Sequence, residues 1–472
     1  MNALRSEQKT NKNIVRQTTR TDRERAGPRK SQGTLLRTIT GEDLLNSRVM
    51  QRPSLPTIPR VILSMVVLSF LLQLAAIGIF RQYRTRVGED NFGFGWEMGR
   101  VARSLAMGQG FSNPYGDNTG PSAWEPPLYP LLMATVFKVF GIYTYASAWV
   151  LLSINSLFAS LTTIPVFFIA HRTFGSRVAI WSARAWALNP YVWYWSIHWI
   201  WDTTFTPLML AVIFLIALEL EQWPGYRGWI LFGVLWGVGA LGNPAMLSFL
   251  PFCGLWTWWQ RYRRGLPSVA GVVLSSFVFF LVLSPWLVRN YQVFGRFVFI
   301  RDDFGLQFRL GNNKMADGML IATLQPNLNK LELEKFQRLG EIAYEADCRR
   351  LAFDWIKDHP GRFVVISLKR FFYYWNGVPR PTDSIAPWDF RSSLFLASSV
   401  LSLWGLVRAL LQHRPGARLF AGLIATYPTV YYFVFPHARY RHPIEPELFI
   451  LAVFLLSEVR SGKPVAEKVI AD

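Results

Sequence analysis

The chain has 472 residues, 51% of them hydrophobic, 15% aromatic and only 17% charged, a balance too apolar for a soluble enzyme of this length. Its formal charge of +20 does not argue for nucleic acid as a partner, because the basic residues gather in a polar N-terminal stretch and in short turns between apolar runs, as on the cytoplasmic side of membrane proteins. Two cysteines, Cys253 in an apolar run and Cys348 in polar sequence, supply neither a disulfide framework nor a zinc site.

From Met1 to Arg60 there are thirteen Lys or Arg against five Asp or Glu, with Ser, Thr, Gln and Asn between them. Residues 1–60 therefore read as a disordered basic cytoplasmic tail facing lipid headgroups. The first apolar run begins near residue 61, too late for a cleavable signal peptide, so it is expected to stay as a membrane anchor. Ten apolar runs follow at near-spanning length: Val61–Phe80, Tyr145–Ala170, Val178–Trp195, Thr203–Leu220, Trp229–Leu241, Met246–Trp259, Val269–Val288, Leu394–Leu411, Leu419–Phe435 and Ile444–Leu456. If the N-terminus is inside, every second connection is cytoplasmic. These connections, at His171–Arg177, Glu221–Arg227, Arg261–Arg264 and His413–Arg418, all carry Lys or Arg, as the positive-inside tendency requires. The C-terminal tail, residues 460–472, then returns inside, and the membrane domain covers residues 61–459. Leu128–Gly141, about 14 residues interrupted by Lys138, suits an interfacial helix better than a span.

Parity places five polar segments on the opposite face: residues 81–144, the turn Ser196–Asp202, the turn near Asn243, the long segment 289–389, and Pro436–Pro443. Within the long segment, Arg362–Trp375 patterns as an amphipathic helix lying in the interface. The residues able to do chemistry collect on this side. Glu97 opens a short helix in which Phe94, Met98, Val101 and Leu105 recur at helical spacing; an ordinary solvated helix-end acid is the alternative reading. Asp202 lies in an aromatic patch, Tyr191–Trp195 and His198–Trp201, and equally suits the N-cap of the next helix. Pro436–Pro446 packs Arg439, Arg441, His437 and His442 into one outer turn. Arg is suited to bidentate phosphate recognition, headgroup anchoring being the alternative. Arg289, Lys369 and Arg370 are weaker candidates of the same kind. No Walker loop, Rossmann glycine pattern, HExxH or nucleophile elbow occurs, and no metal or other cofactor is expected.

The acidic residue ahead of Ala102–Leu105, then Gly108–Ser112, Glu125–Pro130, Phe140-Gly141, Arg172–Ala179, the turn at Asp202, Pro285–Asn290, Gly311–Asn313 and Arg439–Pro443 resemble in their order the polyprenyl-phosphate-sugar-dependent glycosyltransferases of the GT-C fold class. The likeness is greatest to family 39, with its protein O-mannosyltransferases and lipid A aminoarabinose transferase, and it runs from residue 61 onward. It implies an all-α polytopic bundle of about ten transmembrane helices with interfacial helices in the first external loop, set in a bacterial inner membrane with both termini cytoplasmic. The family's catalytic carboxylate lies in the first external loop, commonly in an Asp-Glu pair about two turns ahead of the matching alanine. Phe94 and Gly95 occupy those places here, so the base role passes to Glu97, with Asp90 as understudy. A lysine often precedes the Pro-Pro-Leu-Tyr motif and helps hold donor phosphate. Glu125 stands there instead, which moves phosphate binding to Arg439 and Arg441, with His442, Arg289 and Tyr129 as further substrate contacts.

The implied partners are a polyprenyl-phosphate sugar donor, a glycan, lipid or protein acceptor, and membrane lipids. Because the leaving group is already a phosphate, it needs cationic stabilisation more than protonation. One carboxylate base then suffices for an inverting displacement, unlike the two-carboxylate scheme of most glycosidases, and Asp202 positions acceptor or base. Two rival readings stay open: a glycan polymerase or ligase using a lipid-diphosphate donor, and a lipid or sugar transporter, which calls for charged or broken helices at mid-membrane.

Overall fold

Apolar runs in lipid must satisfy their own backbone hydrogen bonds, which favours helices, and the computed structural model of the chain is helical. It describes residues 58–461 apart from 87, 89–91, 221, 224, 267 and 379–389. Among them no strand occurs, only an isolated antiparallel bridge between Ser112 and Pro121. The expected tails, up to residue 57 and from residue 462, lie outside the described residues.

The membrane body begins with α1 (Arg60–Ile79), and the first loop, expected to lie outside, holds α2 (Glu97–Ala106) and α3 (Leu128–Phe140). Then come α4 (Tyr145–Leu161), α5 (Thr163–Phe174), α6 (Ser176–Ala187), α7 (Pro190–His198), α8 (Phe205–Leu220), α9 (Arg227–Gly242), α10 (Leu250–Arg263) and α11 (Val269–Phe294). The long segment expected to lie outside carries α12 (Phe304–Gly311), α13 (Lys330–Leu339), α14 (Glu341–Asp358) and α15 (Pro360–Asn376). The chain finishes with α16 (Phe390–Leu411), α17 (Ala417–Thr426), α18 (Thr429–Phe433), α19 (Ala438–Arg441) and α20 (Glu445–Ser461).

Among the described residues, four stretches are long and apolar enough to cross a membrane: Arg60–Ile79, Tyr145–Phe174, Val269–Phe294 and Ser392–Leu411. The other expected spans fall on shorter or interrupted helices, two of them divided at a proline. Asn189 caps the Tyr191 N–H at 2.8 Å and Pro190 follows, which divides the expected Val178–Trp195 run into α6 and α7. Pro428 separates α17 from α18 in the same way. Between α4 and α5 the bend at Thr162 sits one turn before Pro165, which has no N–H for the Leu161 carbonyl. α3 has 13 residues, about 20 Å at the helical rise, short of a hydrocarbon core.

Packing in the membrane body depends on close approach. α9 lies along α11 with Gly233 and Gly237 at the contact, where an added Cβ would fall 2.5 Å from the Ser275 carbonyl and 2.7 Å from Val282; small residues four apart permit such a crossing. The expected basic turn at Arg261–Arg264 contains one buried member. Arg261 donates to the carbonyls of Leu220 and Trp223, both at 2.7 Å, closing the C-terminal end of α8 with a cation.

Outside the membrane body, the long segment folds onto the first external loop. Leu306, Phe308, Leu310, Phe336, Tyr344 and Cys348 share a core with Tyr115 and Trp124 of that loop and with Val434 and Phe435. Polar clasps reinforce it. The Glu341 carboxyl accepts from Ser122 Oγ at 2.5 Å and the Ala123 N–H at 2.6 Å, and the Asp302 N–H donates to the Ala123 carbonyl at 2.9 Å. α15 buries Ile366, Arg370 and Tyr374 and exposes Val364, Val365, Leu368, Phe371 and Phe372, the two-faced pattern of a helix lying along a lipid surface.

Candidate active site

Glu97 is the first residue of α2, and the two residues before it make its position possible. Gly95 has φ +75° and Trp96 φ +37°, a left-handed turn that swings the chain into the helix. Trp201 sits against this turn: its indole N–H donates to the Gly95 carbonyl at 3.1 Å, and a Cβ on Gly95 would lie 2.5 Å from that nitrogen and 2.8 Å from the Ile200 carbonyl. The start of α2 is thereby locked to the chain that carries Asp202 next. On its other side Glu97 accepts from Asn327 Nδ2, and the same amide's oxygen accepts from Arg100. Burial pushes the Glu97 carboxyl above its usual value, against the opposing pull of its backbone hydrogen bond, Arg100, Asn327 and Arg439. The result is a more basic carboxylate than one in water.

Asp202 precedes α8. Its side chain accepts from Asn243 Nδ2 at 2.7 Å and from Thr206 Oγ1 at 3.3 Å, while its backbone carbonyl receives the Thr206 N–H at 3.0 Å. The carboxylate is thus held by side chains from two helix ends, and burial raises its pKa against the opposing charge of Arg439. Arg439 lies over the Trp201 ring at 4.0 Å and the Tyr440 ring at 5.1 Å. Among the described residues it forms no ion pair with a carboxylate, so cation–π contact holds the guanidinium and leaves its charge available.

These three residues line one cavity of about 590 Å3, together with Trp96, Trp124, Trp201, Tyr431 and His437. A second charged group, not foreseen, shares its wall: Glu125, Arg301 and Asp303. Arg301 pairs with Asp303, approaches Glu125 at 3.9 Å and donates to the Trp124 carbonyl at 3.1 Å. Burial pushes Glu125 up to about 8, Arg301 pulling it down and the Glu97, Asp303 and Asp202 carboxylates pushing it further up. The cavity therefore presents four carboxyl groups and two guanidiniums between aromatic walls.

Other sequence candidates lie elsewhere. Arg441, two residues from Arg439, is fully buried and spent: it pairs with Glu445 at 2.8 Å and donates to Ser399 Oγ at 2.8 Å and Ser398 Oγ at 2.9 Å. His442 is buried against the Trp186 ring at 5.8 Å, and burial lowers it to about 3, which keeps it neutral. Arg289 donates to the carbonyls of Ser122 and Phe111 at 2.6 and 2.7 Å and stacks on Trp286 at 4.9 Å, tying the first external loop to the end of α11. Tyr129 donates to Asn155 at 2.8 Å and faces a separate apolar pocket of about 180 Å3 with Leu128, Leu132, Phe158 and Phe205. Asp90 lies outside the described residues. Arg370 is held under Asn312 and the Phe433 carbonyl at 3.1 and 2.8 Å. No cluster of three or more His, Cys, Asp or Glu with metal-binding geometry occurs among the described residues.

Residues 124–288, which include Glu125 and Asp202 of the cavity, match the family described as dolichyl-phosphate-mannose-protein mannosyltransferase. That match covers about a third of the chain. Among solved structures, the chain is similar to the oligosaccharyltransferase of Archaeoglobus fulgidus in its apo form, with 15% identity, a TM-score of 0.48, and coverage of 85% of this chain and 50% of the other. The archaeal enzyme in complex with an inhibitory peptide and a dolichol-phosphate gives 13% identity and a TM-score of 0.45 over the same shares. ArnT from Cupriavidus metallidurans in the apo state gives 13% identity and a TM-score of 0.35, over 84% of this chain and 79% of that one. The chain spans about half the length of the archaeal enzyme. No curated protein matches its sequence.

Proposed function

We propose that the protein transfers a sugar from a polyprenyl-phosphate donor to an acceptor on the non-cytoplasmic face of a bacterial inner membrane, with inversion at the anomeric carbon. The observation that carries this reading is the convergence of Glu97, Asp202 and Arg439 on one cavity, within a chain whose family description names dolichyl phosphate mannose.

The step is a single displacement. The acceptor hydroxyl attacks the anomeric carbon, the bond from that carbon to the phosphate oxygen breaks, and the electron pair leaves with the polyprenyl phosphate. Glu97 takes the hydroxyl proton, a task its raised proton affinity suits. Asp202, fixed by Asn243 and Thr206, orients the acceptor. Arg439 meets the charge that grows on the leaving phosphate. Arg301 is already shared between Asp303 and Glu125, which leaves Arg439 to face the donor.

Glu97→Gln keeps the size of the side chain and removes the proton acceptor. Transfer from a polyprenyl-phosphate sugar is expected to lose kcat by about 10^2- to 10^4-fold with little change in donor KM. Near-normal turnover in a folded variant removes the base assignment. Equal use of diphosphate-linked donors by the wild type removes the donor assignment.

A further inference from the structure

Asn327 sits in the short crossing between a 3-10 helix (Ala322–Leu324) and α13, and local hydrogen bonds fix its place. The Gln325 carbonyl accepts the Leu328 N–H at 2.9 Å. The Asn329 side chain caps α13, accepting from the Leu331 and Glu332 N–H groups at 3.0 and 3.2 Å, and its amide donates back to the Thr323 carbonyl at 3.0 Å. The turn so closed carries Asn327 between Gln325 and Leu328, both of which line the cavity.

The amide of Asn327 can face only one way. Arg100 is a donor without an acceptor, so the atom it meets is the Asn327 oxygen, and Nδ2 is left to donate to Glu97 Oε1. Asp202 is held in the same manner: the Asn243 oxygen accepts the Ala245 N–H at 3.1 Å, and its Nδ2 donates to the carboxylate at 2.7 Å. Each of the two carboxylates meets an amide that can only give a hydrogen bond, which favours the charged, proton-accepting form.

We propose that Asn327 is a positioning residue for the transfer, holding Oε1 of Glu97 so that the carboxylate meets the acceptor hydroxyl in one fixed orientation. The inference rests on the reading of Glu97 as the base and adds what keeps that base ready. Burial favours the protonated carboxyl, which cannot take a further proton, and the Asn327 hydrogen bond is one of the pulls against it. The other groups facing Glu97 are Arg100 on its own helix, Arg439 of α19, and Glu125 and Tyr115 of the first loop, with Asp202, Asp303, Arg301 and His437 on the same cavity. All of them are kept when Asn327 alone is changed.

The test uses the full-length protein in lipid nanodiscs and follows the Glu97 carboxyl by infrared difference spectroscopy through a pH titration, its band assigned by its absence in Glu97→Gln. Asn327→Ala is expected to raise the midpoint of Glu97 protonation on the order of one pH unit, the worth of a hydrogen bond to a charged group. Asn327→Asp has the same size and can still accept from Arg100, which guards against a folding failure in the alanine variant; it sets a second carboxylate against the first and should raise the midpoint at least as far. With undecaprenyl-phosphate mannose as the donor, the acid limb of kcat/KM for donor consumption should move up with the midpoint, so that the alanine variant regains activity as pH rises, while the donor KM at high pH stays unchanged. A melting temperature that falls with an unmoved midpoint makes Asn327 a support of its loop alone and overturns the proposal, as does a midpoint that moves down. Failure of the parent reading is a separate result: if Glu97→Gln consumes donor at the wild-type rate, or the midpoint moves while the acid limb stays, Glu97 is not the base.

Discussion

Arg439 and Arg441 are two residues apart and have opposite fates. Arg441 is consumed by Glu445 one turn later and by two serines of α16, whereas Arg439 rests on Trp201 and keeps its charge for the cavity. A lysine at 439 preserves the charge and loses both the flat stack on the indole and the forked donors. Arg439→Lys is therefore expected to raise donor KM on the order of tenfold while thermal stability stays close to wild type, measured by donor titration and by melting in detergent. An unchanged KM would exclude Arg439 as the phosphate cation. The sequence pointed to both arginines as one basic cluster on the outer face. What separates them is the acid four residues after Arg441, an i,i+4 spacing that was legible in Glu445. Arg301 and Asp303 were harder to find, because a short charged run in a loop has no period, and only the folded segment sets it beside Glu125.

Most elements were legible as apolar runs, and their interruptions were readable too, in Asn189-Pro190 and Pro428, where a proline removes a donor from the helix ladder. Asn327 carried no such sign. It lies between helices in polar sequence, yet bridges Glu97 and Arg100 from the far side of the external segment. The clasp between α14 and the first external loop has a pH signature. Burial raises Glu341 to about 8 from the usual 4.5, so the folded state holds its proton more tightly than the unfolded chain does. Its contribution to stability is fully present below about pH 4.5 and is lost as pH rises towards 8. The melting temperature of the purified protein should fall on the order of several degrees over that interval, and Glu341→Gln should flatten the fall. A pH-independent melting temperature in the wild type would contradict this.

At the scale of the whole molecule, the charge pattern of the turns predicts that the cavity faces outward, and labelling tests this directly. Both native cysteines, Cys253 and Cys348, are free and buried, which leaves a quiet background for introduced thiols. Lys330 on α13 has an exposed side chain, and Arg264, after α10, is exposed as well. In intact cells a membrane-impermeant maleimide is expected to reach Lys330→Cys, and to reach Arg264→Cys only after permeabilisation. The reverse result would put Glu97 and Arg439 on the cytoplasmic side and end the proposed chemistry.

The hydrogen bond from Asn327 to Glu97 joins residues 230 apart in the chain, and Arg439 enters the cavity from farther on still. A ribosome builds the polypeptide from its N-terminus, so the carboxylate emerges long before the amide that holds it or the guanidinium that faces it. A nascent or prematurely terminated chain therefore holds the carboxylate without the amide that binds it or the guanidinium that shares its cavity. On the proposed function, a chain that stops short of residue 439 cannot assemble the site for transfer.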